Sequence, residues 1–260
     1  GRAMLSEVED HWFSDRSKYT VWGRIGSSLA NTISNSLLAN VNHEVFGHGF
    51  RLRSLEQPVR GAATFFESFQ GAPLDIELLI NIGRIEINSV FAQAMLLQGF
   101  KQRTWGSRTY ELFYNAFFKL SKDIWSTSLS KKSRSMSGND IVKYIEVINA
   151  KHHSDKMKLD MVENATLIFW LNPIFYVSCW SYWGYLFTGQ DAYTIPHLDF
   201  NNVAYMPIIR AGLTPFGLMY YLDNYIGYNN RTFFVSLEGG KSPFYSNGYG
   251  GIQIKTHQLW

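Results

Sequence analysis

Cysteine is nearly absent: Cys179 is the single one in 260 residues. A disulfide within the chain is therefore excluded. Charge is scarce too. Charged residues make up 17% of the chain and the net charge is only +3, with no lysine/arginine stripe along any helical pattern. That argues against nucleic acid as a partner. No internal repeat is found, and the glycine-rich stretches near the C-terminus lack the Gly-Lys-Ser/Thr of a phosphate loop. Residues 1–7 carry no signal-peptide pattern, although a leader preceding Gly1 would leave no trace here. What is abundant is apolar and aromatic: 46% hydrophobic residues, with 19 Phe, 15 Tyr and 8 Trp. This places the chain among ordered proteins. It implies a thick aromatic core or a surface that touches lipid or peptide. The length suits one domain over 1–260, with a subdivision into 1–130 and 139–260 as the alternative.

The apolar pattern is mainly helical. Val21, Trp22, Ile25, Leu29, Ile33, Leu37, Leu38 and Val41 recur at steps of three to four, which predicts an amphipathic helix running to about Val45. Its opposite face carries Ser27, Ser28, Asn31, Ser34 and Asn35, with few charges, so a second element is expected to cover it. Further helical patterns run over 74–97, 110–128 and 140–150. Residues 62–69 read as a short strand, and 130–138 as a basic, serine-rich loop. No charge occurs between Glu163 and Asp191. That run is long enough to span a bilayer, but Asn172, Pro173 and Gly184 favour buried core helices broken at Pro173. More helix-like sequence follows to about Tyr225, interrupted at Thr214-Pro215. From Thr232 onward short strands alternate with tight turns. The expected class is α+β, mainly α: a helical, metallopeptidase-like domain with a small C-terminal antiparallel β-hairpin region.

At the end of the first helical pattern stands Asn42-His43-Glu44-Val45-Phe46-Gly47-His48-Gly49. Imidazole nitrogens are good zinc ligands, and a carboxylate next to the first ligand can take a proton from a metal-activated water. The common arrangement is His-Glu-x-x-His, with the two histidines on one helix face. Here the histidines are five apart, and on a regular helix positions i and i+5 diverge by roughly 140°. A π-bulge that absorbs one residue restores a shared face, and Gly47 is the natural place for the distortion.

The segment His43 to Gly49 resembles the HExxGH(G) zinc signature of the dipeptidyl-peptidase III type metallopeptidases. The similarity covers about a dozen residues. It implies zinc held by His43 and His48, Glu44 as the base that activates water, and a third ligand from a glutamate on a later helix. The candidate is the single Glu86 in Gly83-Arg84-Ile85-Glu86-Ile87-Asn88, where the family has paired glutamates. Glu86 interrupts a very apolar run, and a buried glutamate needs a partner: a metal, or else Arg84 or Arg51. Asn42 and Asn88 are candidates to orient ligands. His197 is a candidate oxyanion donor and a second catalytic residue, with Tyr193, Tyr205, Tyr220 and Tyr221 as rivals. The resulting expectation is a zinc-dependent metallohydrolase acting on a peptide or protein, with periplasm or cell envelope favoured over cytoplasm. Two alternatives stay open. One is a zinc amidase or esterase acting on a lipid or cell-wall component. The other is a membrane-associated binding protein with a structural metal site.

Overall fold

A computed structural model describes residues 21–49, 51, 54–55, 73–129, 140–229 and 231–258. The expected strand at 62–69 and the basic loop at 130–138 lie outside the described residues. The described part begins with α1 (Val21–Val41), which continues without a break into a π-helix (Asn42–Gly49). Next come α2 (Leu74–Gln102), β1 (Thr104–Gly106), α3 (Ser107–Phe117), α4 (Lys119–Leu129), α5 (Asp140–Lys151) and α6 (Leu159–Thr166). A 3₁₀ turn (Leu167–Leu171) leads into α7 (Pro173–Thr188). Six strands close the chain: β2 (Ala192–Thr194), β3 (Leu198–Phe200), β4 (Val203–Thr214), β5 (Gly217–Tyr228), β6 (Arg231–Lys241) and β7 (Gly248–Gln258).

The fold is mixed α+β, and its sheet is larger than a C-terminal hairpin region. Strands β3 to β7 form one antiparallel meander in chain order, and β1 pairs with β2 in a separate two-stranded ribbon. Residues 203–225 therefore correct the helix-like expectation. In β4 the residues Ala204, Met206 and Ile208 are buried while the positions between them are half-buried. That is the two-residue period of a strand with one face against a core. Dense apolar content on both faces blurs the period in the sequence. Thr214-Pro215 opens the β4–β5 hairpin turn, where Gly217 has φ +131°, a value that side-chain-bearing residues rarely adopt.

The core lies between the helices and the inner sheet face. Its largest fully buried side chains include Trp105, Tyr144, Tyr225, Phe100 and Phe113. Helix α2 is the central rod and contributes Leu78, Ile82, Ile85, Leu96 and Phe100 to the core. It is tied to the sheet by a buried polar knot: Asp223 is fully buried and accepts from Arg210 Nε at 2.7 Å, Ser236 Oγ at 2.5 Å and Gln93 Nε2 at 2.9 Å. A buried carboxylate with that many donors avoids the penalty of an unpaired charge. Pro173 starts α7 rather than kinking it, because its missing N–H falls at a position with no helical acceptor. Asn172, just before it, seals the open side of β4. Its side chain accepts from Ile209 N at 2.7 Å and donates to Ile209 O at 2.7 Å, as a neighbouring strand would.

Helix α1 departs furthest from expectation. Its apolar stripe is on the outside: Trp22, Leu29, Ile33, Leu37 and Leu38 are all exposed. Its small polar face is the one turned inward. Ser28 Oγ and Thr32 Oγ1 donate to Glu111 Oε1 of α3 at 2.8 and 3.0 Å, and Asn35 Nδ2 donates to Glu111 Oε2 at 3.3 Å. Arg24 is buried and donates to the carbonyls of Leu186 and Phe187 on α7. A second element does cover the polar face, as its lack of charge suggested. What the spacing could not say is that the apolar face stays uncovered by any described residue.

Candidate metal centre

The odd histidine spacing is accommodated by the backbone. Residues Asn42–Gly49 form a π-helix, whose hydrogen bonds close from i to i+5. Residue i+5 then stacks one turn above residue i, so positions 43 and 48 share a helix face. The side chains of His43, Glu44 and His48 lie outside the described residues.

The π-helix packs against α2 at a point where both chains carry glycine. A Cβ added at Gly83 would lie 3.1 Å from Gly47 O and 3.2 Å from Arg51 Cβ. Gly47 is buried. Asn42 Nδ2 donates to Asn88 Oδ1 at 3.3 Å, with Asn88 buried. The two candidate orienting amides thus meet each other, one from each helix, and pin the start of the π-helix beside the second turn after Gly83. Overpacking at such a contact typically costs 1–3 kcal/mol. Gly83→Ala is expected to lower stability by about 2 kcal/mol in chemical denaturation and to weaken zinc binding in titration calorimetry, because the wider variant pushes the π-helix off α2.

Glu86 is not buried. Its side chain is 54% exposed and it pairs with Arg51. The expectation of a buried acid is corrected, because position 86 falls on the side of α2 turned toward Arg51 and solvent rather than toward the core. One of the two charge partners anticipated for it, Arg51, is present. The pair uses Oε2, and a carboxylate has two acceptor oxygens, so Arg51 and a cation can be served by the same group.

His197 is not brought to this region. Its ring sits edge-on to Phe100, fourteen residues beyond Glu86 on α2, or about 21 Å at the helical rise. Its Nδ1 lies 2.8 Å from the Ile195 carbonyl and its Nε2 lies 3.1 Å from Asp199 Oδ2. Both nitrogens are engaged locally, so the oxyanion role assigned to it fails on position. Among the rival tyrosines, Tyr221 is the one within electrostatic reach of Glu86. Burial pushes the Tyr221 phenol above its ordinary pKa, the guanidinium of Arg210 opposes this, and the charges of Glu238 and Glu86 add to it. The phenol is therefore neutral and a donor at physiological pH. Arg210 stacks on its ring, 3.6 Å from the centroid. Arg210, Tyr221 and Glu238 are cross-strand partners on β4, β5 and β6, which makes a polar row on the sheet beside Glu86. The sequence gave Tyr221 no advantage over its neighbours, since only strand pairing puts it in that row.

Among the described residues, no group of three or more His, Cys, Asp or Glu side chains is clustered for a metal. The donor set proposed from the sequence includes side chains outside that description. No protein-family model, no curated protein and no solved structure matches the chain.

Proposed function

We propose that the protein is a zinc-dependent metallohydrolase acting on peptide bonds, with His43, His48 and Glu86 as the metal ligands. The observation that carries this reading is the π-helix over Asn42–Gly49. A residue inserted into a His-Glu-x-x-His segment would separate the two imidazoles on an α-helix, and this backbone returns them to one face. The residues suit the ion: two imidazoles and one carboxylate are a common catalytic zinc set that leaves a fourth position open. When bound, zinc supplies Lewis acidity and brings the pKa of water close to neutrality.

The chain's own residues supply the rest. Glu44 takes the proton of the attacking water and returns it to the departing amine. Arg51 holds one oxygen of Glu86, which fixes the carboxylate's orientation. Tyr221 donates a hydrogen bond to the oxyanion formed at the scissile carbonyl, in the role first assigned to His197. The exposed apolar faces of α1 and α7 favour a second reading, in which the same residues act on an amide or ester of a lipid or cell-wall component.

Zinc titration of the chelated, full chain tests the site. One zinc per chain is expected, with affinity falling about a hundredfold or more in His43→Ala and in His48→Ala when a ligand is lost. Absence of zinc binding by the unmutated chain refutes the proposal.

A further inference from the structure

Helices α1 and α7 are both built inside out. On α7 the inward positions include the small polar residues Ser178 and Ser181, both buried, and Gly184, where an added Cβ would strike the Tyr193 hydroxyl. Its outward positions are Tyr176, Trp180, Trp183 and Phe187, spaced four, three and four apart and all more than half exposed. On α1 the inward face carries Ser28, Thr32, Asn35 and Arg24, and the outward face Trp22 (80% exposed), Leu29, Ile33 and Leu37. The helices lie side by side and antiparallel. Arg24 reaches the carbonyls of Leu186 and Phe187, and one turn on Ser28 Oγ donates to Tyr182 Oη at 3.1 Å. Both rest on α3, through Glu111 for α1 and through the Tyr110–Tyr182 ring contact for α7.

The outward face carries no charge. Helix α7 has no ionisable acid or base among its 16 residues, and the only one on α1 is Arg24, which points inward. Its five aromatics alone present on the order of 600 Å², taking roughly 200 Å² for each whole side chain. That is the upper end of a monomer's largest apolar patch. Small and polar residues at helix–helix contacts, with large apolar ones outward, is the arrangement favoured where the surroundings are hydrocarbon. Exposed tryptophan and tyrosine belong to the boundary between hydrocarbon and headgroups. No helix among the described residues is long and apolar enough to cross a membrane, and 16 residues reach only about 24 Å.

We infer that the outer face of α1 and α7 is a lipid-binding surface that lies in the plane of a bilayer, with Trp22, Trp180, Trp183 and Phe187 inserted at the acyl–headgroup boundary. The match is one of charge as well as polarity: an uncharged face meets uncharged hydrocarbon, without the acidic groups that phosphates would repel. The inference is independent of zinc. It places the candidate metal centre, at the C-terminal end of α1, next to a membrane surface.

Flotation of the full chain with phosphatidylcholine vesicles, with and without phosphatidylglycerol, tests it. The protein is expected to float with both vesicles, to stay bound in high salt, and to have its tryptophan emission quenched by brominated lipid. Trp180→Ser combined with Trp183→Ser is expected to lower the bound fraction about tenfold with helical circular dichroism retained. Ile252→Ser, on the exposed face of β7, should leave binding unchanged. Three outcomes overturn the inference: no flotation and no quenching; binding confined to anionic vesicles and released by salt; or a lipid-free dimer in light scattering that the double tryptophan variant dissociates, which would make the occupant a second copy of the chain.

Discussion

Glu44→Gln is expected to bind zinc with the affinity of the unmutated chain and to lose at least a hundredfold in kcat. The side chain keeps its size and loses only its ability to accept a proton. General-base contributions run from about 10²- to 10⁴-fold, and KM should change little, because the amide holds the same space in the ground state. Peptide turnover and zinc titration on the same preparation check both halves. Turnover equal to that of the unmutated chain removes Glu44 from the chemistry, whatever the metal content. The pairing also separates the two ways the proposed site can fail: loss of zinc implicates the ligands, and loss of turnover alone implicates the base.

The second large effect concerns Glu111, which joins α1 to the body of the protein. It is 6% exposed and accepts from three side chains on successive turns of α1. Glu111→Ala removes a shared acceptor and leaves buried donors behind, at a cost of about 3 kcal/mol, measurable by urea denaturation. A pH dependence goes with it. Burial raises the Glu111 pKa above its ordinary value of 4.5, and the bonds from Ser28, Thr32 and Asn35 offset only part of that rise. Between the unfolded and folded pKa values the native state therefore holds more protons than the unfolded one, so stability falls as pH rises. The contribution is complete below the ordinary glutamate value and is lost as pH passes through the raised one. Glu111→Gln should flatten stability across that window. A slope that persists in this variant would assign the titration to another group.

How much of this was legible beforehand differs from element to element. The π-helix was, because histidines five apart with a glycine between them have few ways to share a face. The helices around Leu78, Phe113 and Tyr144 were too, since their periods are clear and their inward residues are the ones buried. Helix α1 was legible as a helix but not in its orientation: a period shows that two faces exist and leaves open which of them meets the protein. Glu86 was misjudged for a related reason, because apolar neighbours in the sequence do not fix the direction of one position on a helix. The strands β4 and β5 were hidden by their own hydrophobicity. His197 failed and Tyr221 emerged through geometry alone: proximity to Glu86 depends on how α2 lies across the strands, and no local pattern encodes that.

The extra residue in the π-helix also sets the angular phase of everything after it. Removing one residue between His43 and His48 would give an ordinary helix and still keep two imidazoles on one face, at the familiar four-residue interval. It would also turn the following backbone by about 100° and swing Arg51 away from Glu86, the residue it now grips. The insertion therefore does more than space two ligands. It is a phase adjustment that lets a single continuous helix present its histidines at one azimuth and its arginine at another.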